Sequence, residues 1–369
     1  MRLLHISREF YPLMGGTGKH IYEIGRRLQE KGYACRIVTL CYDLFNKSRK
    51  FPPFEIIDGL EVFRLKGWGH YKKPLPLEIP WKLFHWADIV HLHDPRFLFE
   101  TTALLKPFFR YKIAFTSHGF ILHTPQWRWV KKLLTATYYK FYLKNIVDAV
   151  ICVSRQDFGY FEPWGVNQLY LIENGIDYKK YSQIKKSPQA GHFLYFGRLD
   201  WNKGLDLLLL TMAALKDIPW TLDIVGKGSE EITLSLQEMA ANLGLKERVN
   251  WHGFLPEKEL LSFISRSELC FFPSRYEGFG FALLEAMAAG AVCLANKIQS
   301  FSQLINDQEN GFLLDFSTPS EAAKRIREII SLPSQKLRQI AEQAKALASR
   351  YDWGKKLACL LDVYNRMRA

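Results

Sequence analysis

No apolar run in this chain reaches the roughly 18 residues needed to cross a bilayer. The most apolar stretch, LDLLLLTMAAL, is interrupted by Asp206. The opening MRLLHISREF turns charged too soon for a secretory signal and reads instead as a first β-strand. Six cysteines, at positions 35, 41, 152, 270, 293 and 359, are scattered through mostly apolar runs with no C-x-x-C spacing. That pattern disfavours a disulfide scaffold or a thiolate zinc site and favours buried, reduced thiols in a cytoplasmic protein. No internal repeat or low-complexity tract stands out.

What is present is ordinary globular material: 369 residues, 48% hydrophobic and 24% charged. That length suggests two domains of about 150–200 residues. Short apolar runs alternate with helical ones throughout, the mark of parallel α/β sheets. The expected strands are LLHIS, CRIVTL, LEVFRL, DIVHLH, IAFTS and AVICVS, then FLYFG, TLDIVG, RVNWHG, ELCFFP, AVCLAN and GFLLD. SPQAG is the expected linker, giving domains 1–185 and 186–352, with a final helix of about 353–369 expected to pack back on the first. Charge is unevenly divided. Residues 1–185 hold 28 Lys and Arg against 16 Asp and Glu, a net of +12, whereas the remainder holds 22 against 21, a net of +1. Such an excess implies an anionic partner for the first half, such as membrane headgroups, a phosphorylated lipid or nucleic acid.

The most informative stretch is CFFPSRYEGFGFALLEAMAA, residues 270–289. An apolar strand leads through a glycine loop into a helix-forming run. Gly278 and Gly280 let backbone approach a ligand, and the free amides of a helix start form an anion site suited to phosphate. Glu277 lies just before the helix and Glu285 about 7 Å along it, at ~1.5 Å per residue. With a diphosphate at the helix start, Glu285 is placed for a ribose diol and Glu277 for the substituent on the other side. In FGRLDWNKG, Arg198 and Lys203 supply a planar fork and a point charge able to neutralise a diphosphate.

The first half carries weaker signals. YPLMGGTGKH places Gly15 and Gly16 in a strand-to-helix loop, without the G-x-G-x-x-G spacing of a dinucleotide fingerprint. HLHDP offers His91, His93 and Asp94, but in a strand the histidines share one face and Asp94 takes the other. No acidic pair elsewhere completes a set, so no metal is expected. Asp94 at a strand's carboxyl end is expected to face an acceptor, and His118 in FTSHGF also lies at such an end. In QWRWVKKLLTATYYKFYLKN, the apolar arc Trp127, Val130, Leu134, Tyr138 and Phe141 lies beside Arg128, Lys131 and Lys132. Two readings stay open for it, a membrane-contact helix and a core helix with a basic rim.

In linear order, YPLMGGTGKH, TSHG, ENGID, FGRLDWNKG and SRYEGFGFALLEAMAAG resemble the motifs of glycosyltransferase family 4, whose retaining enzymes have the GT-B architecture. The resemblance implies two Rossmann-like domains facing across a cleft, a nucleotide-sugar donor and no metal or other cofactor. It implies catalytic roles for His118, Glu277, Arg198 and Lys203. Donor contacts are implied for Gly15, Gly16, Phe254, Gly278, Phe279, Gly280 and Glu285, with Asp94, Lys131 and Lys132 on the acceptor side. The family mechanism is front-face attack with retention, the leaving phosphate taking the acceptor's proton. Two departures bear on donor and acceptor detail. VGKGS lacks the proline common after that loop, and Thr17-Gly18 stands where an acidic residue often follows the glycine pair.

ADIVHLHDPRFLFETTALLKP, TSHGFILHT and LIENGIDYKKY look most like the α-mannosyltransferases of xanthan-type exopolysaccharide assembly. These use GDP-mannose and a polyprenyl-diphosphate-linked oligosaccharide, which implies a peripheral enzyme at the inner face of the plasma membrane. A UDP-sugar donor such as UDP-glucose stays open. A sugar-nucleotide epimerase of the same architecture would convert donor without an acceptor. A nucleic-acid binder would explain the basic half but not the glycines, cations and paired glutamates of the neutral half.

Overall fold

A computed structural model describes residues 1–12, 16–43, 48–69, 73–118 and 135–368. The chain divides into two compact units, Met1–Gly175 with Gly354–Ala369, and Ile176–Trp353.

The first unit is built on a sheet of β1 (Arg2–Ile6), β2 (Ala34–Leu40), β3 (Phe54–Ile57), β4 (Leu60–Leu65), β7 (Ile89–Leu92), β8 (Lys112–Ser117), β9 (Ala149–Cys152) and β10 (Leu169–Leu171). Two-residue strands β5 (Gly67–Trp68) and β6 (Leu75–Pro76) form a separate hairpin. The sheet order is β10-β9-β8-β7-β1-β2-β4-β3, parallel except for β3 against β4. The parallel strands are nearly continuous apolar runs because helices cover both faces. Of the β3–β4 hairpin, only β4 was among the expected strands; β3 was not. Its turn, Asp58-Gly59, has both residues at positive φ (47° and 85°), the twist that a two-residue hairpin demands.

The second unit is an all-parallel sheet of β11 (His192–Phe196), β12 (Thr221–Val225), β13 (Val249–Gly253), β14 (Leu269–Phe272), β15 (Val292–Asn296) and β16 (Phe312–Leu314). Its order is β13-β12-β11-β14-β15-β16. One core packs Phe193, Leu208, Leu222, Phe271 and Ile326, and another packs Leu194, Cys270, Leu284, Met287 and Ala344.

The division falls inside ENGID, ten residues before the expected 185/186 boundary. Backbone bonding explains the shift. Ile176 donates to the Tyr351 carbonyl at 2.7 Å and accepts from Trp353 at 3.0 Å, fixing it in the second unit. SPQAG is no free linker either: Ser187 and Gln189 donate to the carbonyls of Ser265 and Arg266 at 3.0 and 2.9 Å. Gly354–Ala369 belongs to the first unit, where buried Tyr364 places its hydroxyl 2.5 Å from His91 Nδ1.

Candidate active site

In each sheet the chain runs outward one way from its first strand and then returns to build the other side. The reversal lies between β11 and β14 in the second unit and between β1 and β7 in the first. In open α/β sheets, ligands bind at the carboxyl ends of the strands flanking such a reversal.

In the second unit those ends carry the predicted donor residues. β11 runs into Gly197 and Arg198, then a 3-10 turn over Trp201–Lys203 closed by Gly204 at φ 68°. A Cβ on Gly204 would lie 2.2 Å from the Pro273 carbonyl oxygen, so glycine is what lets this turn seat against the end of β14. β14 leads through Pro273–Phe279 to Gly280, the N-cap of the helix Phe281–Ala288, at φ 99°. The first bond within that helix runs from Leu284 N–H to the Gly280 carbonyl at 3.1 Å, so the preceding amides are not used inside the helix. The two loop glycines differ. A Cβ on Gly280 would meet Phe301 at 2.9 Å, whereas at Gly278 nothing lies within 4 Å and φ is not positive. The fold therefore demands glycine at 280 and not at 278.

Lys203 and Glu277 are brought together as an ion pair with side chains 18% and 21% exposed. Glu285, the fifth residue of the helix, is half-buried and hydrogen-bonds the Tyr181 hydroxyl. Burial, with Glu285 and Glu257 next in effect, pushes that hydroxyl far above its ordinary value. Arg198 turns to Asp200 (3.3 Å) and is 65% exposed, so it stands at the rim rather than in the Lys203–Glu277 pair. Phe279 packs its ring against Phe281 and Tyr351. Phe254 is exposed just beyond β13.

Arg275 was missed. Its guanidinium grips Asp206 with two contacts (2.7 and 2.5 Å), donates to the Trp201 carbonyl at 2.9 Å and covers the Trp201 ring at 4.1 Å. Its backbone N–H donates to the Asn202 carbonyl at 2.8 Å. Arg275 thus ties the turn that carries Lys203 to the loop that carries Glu277. SRYEGFG contains it, but only its partners, some 70 residues earlier in sequence, reveal the tie.

In the first unit a small cavity of about 70 Å³ lies at the ends of β1 and β7, bordered by Ser7, Arg8, Thr17, His93, Asp94 and His118. Asp94 is buried between Arg8 (2.5 Å) and Arg96 (2.8 Å). Burial acts to raise its carboxyl, but Arg96 and Arg8 outweigh that and hold it below the ordinary value. Glu9 beside it is raised, burial prevailing over Arg8. His118 stacks on His93, which is hydrogen-bonded in turn to His5. Sequence spacing showed His91 and His93 on one strand, but not His5, His20 and His118 gathered around them. Gly16 opens the helix Gly16–Glu30 and is exposed, with open space where a Cβ would stand. Gly15, Lys131 and Lys132 lie outside the described residues. On the short helix Lys140–Asn145, Tyr142 and Leu143 are buried while Phe141 is 63% exposed, so Phe141 does not belong to a buried arc.

Residues 14–180 match the model of Glycosyltransferase Family 4, and residues 178–347 that of glycosyl transferases group 1. The chain is similar to a GDP-mannose:cellobiosyl-diphosphopolyprenol alpha-mannosyltransferase of Xanthomonas oryzae pv. oryzae, with 28% identity over 99% of this chain and 97% of that protein. It is also similar to the protein of that name in Xanthomonas campestris, with 27% identity over 99% and 97%. Among solved structures it is similar to Anabaena HepE in complex with UDP, with TM-score 0.76 and 20% identity over 99% of this chain and 100% of that one. At that identity the likeness speaks to fold alone.

Proposed function

We propose, from the premise that this chain belongs to glycosyltransferase family 4, that it transfers mannose from GDP-mannose to a polyprenyl-diphosphate-linked oligosaccharide. The observation that carries the proposal is the Lys203–Glu277 pair beside Gly278 and the helix start, at the topological reversal of the second sheet. The names of the two Xanthomonas relatives, matched over nearly their whole length, support the donor and acceptor.

In this reading Glu285 accepts from the ribose hydroxyls. The diphosphate takes the amides near Phe279 and Gly280, with Lys203 and the rim guanidinium of Arg198 as its cations. A glycine at 278 that packing does not require leaves room for the diphosphate to approach backbone. Negative charge grows on the leaving diphosphate in the transition state, so donors already fixed by Arg275 and the helix supply the main rate term. Glu277 holds the sugar. The resemblance gives His118 a contact with that sugar and Gly16 a share in closing over it, and both roles are part of the proposal. These cations allow the reaction to proceed without a metal.

We further propose that the first unit rests on an anionic membrane surface. The +12 excess of residues 1–185 supports this. So do exposed Leu104 and Phe108, one turn apart on the helix Phe99–Phe109. Among the described residues no helix is long and apolar enough to cross a membrane.

The test is calorimetric titration of GDP, UDP and ADP, followed by transfer from GDP-mannose to a polyprenyl-diphosphate-linked disaccharide. GDP is expected to bind at least about tenfold tighter than UDP, a difference of ~1.4 kcal/mol. Preference for UDP overturns mannose as the sugar. Donor conversion without an acceptor favours the epimerase.

A further inference from the structure

Five of the chain's 10 histidines gather in the first unit: His5 on β1, His91 on β7, His93 just after β7, His118 just after β8, and His20 on the helix Gly16–Glu30. Ring centroids lie 4.1 Å apart for His91–His93, 4.7 Å for His20–His118 and 5.4 Å for His93–His118. Burial lowers every one of them, His5 and His118 to about 4.

Two triplets each present one ring nitrogen per residue within 4.8 Å: His5, His91 and His93, and His20, His93 and His118. Hydrogen bonding separates them. Both nitrogens of His91 are committed, to the Tyr364 hydroxyl at 2.5 Å and the Thr116 hydroxyl at 2.7 Å, so the first triplet forms only by breaking a buried bond. In the second, the ligand atoms His93 Nδ1 and His118 Nε2 are hydrogen-bonded to each other at 3.2 Å, so an ion there replaces one shared bond. Two ligand nitrogens on a tetrahedral zinc, each about 2.0–2.1 Å from the ion, are separated by about 3.3 Å. The other nitrogen of His93 lies 2.9 Å from His5 Nδ1, so His93 can donate its N–H outward, as metal-bound histidines commonly do. His93 and His118 also border the 70 Å³ cavity, which offers a way in and room for a water ligand. Its two arginines, Arg8 and Arg96, are offset by Asp94 and Glu9.

We propose that His20, His93 and His118 form a binding site for a divalent transition ion such as Zn²⁺ or Co²⁺, with His5 orienting His93. An ion there occupies His118 Nε2 and withdraws that side chain from a substrate. Its binding is therefore inhibitory, a consequence that rests on the proposed role of His118, whereas the site itself does not.

The test uses the full chain, stripped with chelator and titrated with Co²⁺ alone. Wild type is expected to show a saturable visible band of tetrahedral Co²⁺ at one equivalent, displaced by Zn²⁺. His20→Gln and His93→Gln are expected to abolish it, each checked for cooperative thermal unfolding so that one folded variant suffices. His91→Gln should keep it, and His5→Gln should weaken it about ten- to hundred-fold. Absence of the band in wild type, or its full retention in His20→Gln, overturns the site. Zn²⁺ that binds at one equivalent without slowing transfer leaves the site standing and refutes the role of His118.

Discussion

Replacing Lys203 by Ala probes the donor site most directly. Its ammonium pairs with Glu277 in a partly buried setting. The turn that carries it does not depend on that side chain. Asp200 caps the turn, Gly204 closes it, and Arg275 holds the Trp201 and Asn202 carbonyls. The fold should survive, leaving two functional losses. A hydrogen bond from a charged donor to the diphosphate contributes about 1.5–3 kcal/mol. Glu277 also loses its counter-ion and faces the diphosphate as a bare negative charge. At about a fifth exposure, solvent screening keeps that second effect to about 1 kcal/mol. Lys203→Ala should thus lower kcat/KM for mannosyl transfer about hundred-fold and weaken GDP by at least ~1.4 kcal/mol, or tenfold. Adding Glu277→Gln removes the repulsion, so the double variant should regain about fivefold in GDP affinity, ~1 kcal/mol, without regaining transfer. Steady-state kinetics and GDP calorimetry on the four proteins decide it. A Lys203→Ala enzyme within about threefold of wild type, under ~0.7 kcal/mol, refutes the clamp.

Glu285→Gln should weaken GDP about tenfold, whereas Glu277→Gln should leave GDP nearly unchanged and impair transfer; the reverse pattern by calorimetry means the ligand lies the other way along the helix. Gly280→Ala should lower Tm, because the added Cβ strains a residue at φ 99° against Phe301, while Gly278→Ala should keep Tm and weaken the donor; equal Tm losses refute the distinction. Thermal stability should fall as pH drops from about 6.5 toward 4. His5 and His118 have folded values of about 4, so in that window the unfolded chain takes up protons that the folded chain does not, about 1.4 kcal/mol per pH unit for each such group. A Tm constant from pH 7.5 to 5 contradicts their burial as neutral rings. The full chain should co-sediment with anionic vesicles at low salt and release as salt rises, with about 1 kcal/mol from each properly placed Lys or Arg. Equal recovery on neutral vesicles ends the membrane reading.

The expected strands were legible because parallel strands covered on both faces are nearly unbroken apolar runs. The two outer strands of the first sheet were not. β3 is only four residues long and interrupted by Glu55, with burial alternating between exposed and intermediate, and β10 has only three half-buried residues. For β3 the signal lay in its turn, since Asp58-Gly59 marks a hairpin without any apolar run. The domain boundary was misplaced for a related reason. SPQAG has the composition of a linker, and nothing local shows that its backbone bonds Ser265 and Arg266, some 77 residues ahead.

The candidate site divides along the same line. Glu277, Gly278, Gly280 and Glu285 lie within nine residues on one strand–loop–helix unit, so sequence spacing alone carries their relative placement. The partner of Lys203 is 74 residues away, and Arg275 acts on Trp201 and Asp206 from a similar distance. Such ties arise because β11 and β14 are neighbours in the sheet though not in the chain. The histidine cluster is the extreme case. His5 and His91 are brought side by side by the β1–β7 register, and His118 follows β8 on the far side of β7. Each of these histidines, met alone in its apolar strand, has the look of an ordinary core residue. Only strand order turns three separate sequence positions into neighbours. In a doubly wound sheet the reversal point is where distant strands become adjacent, so the chemistry collected there is the part that local sequence reading is least able to see.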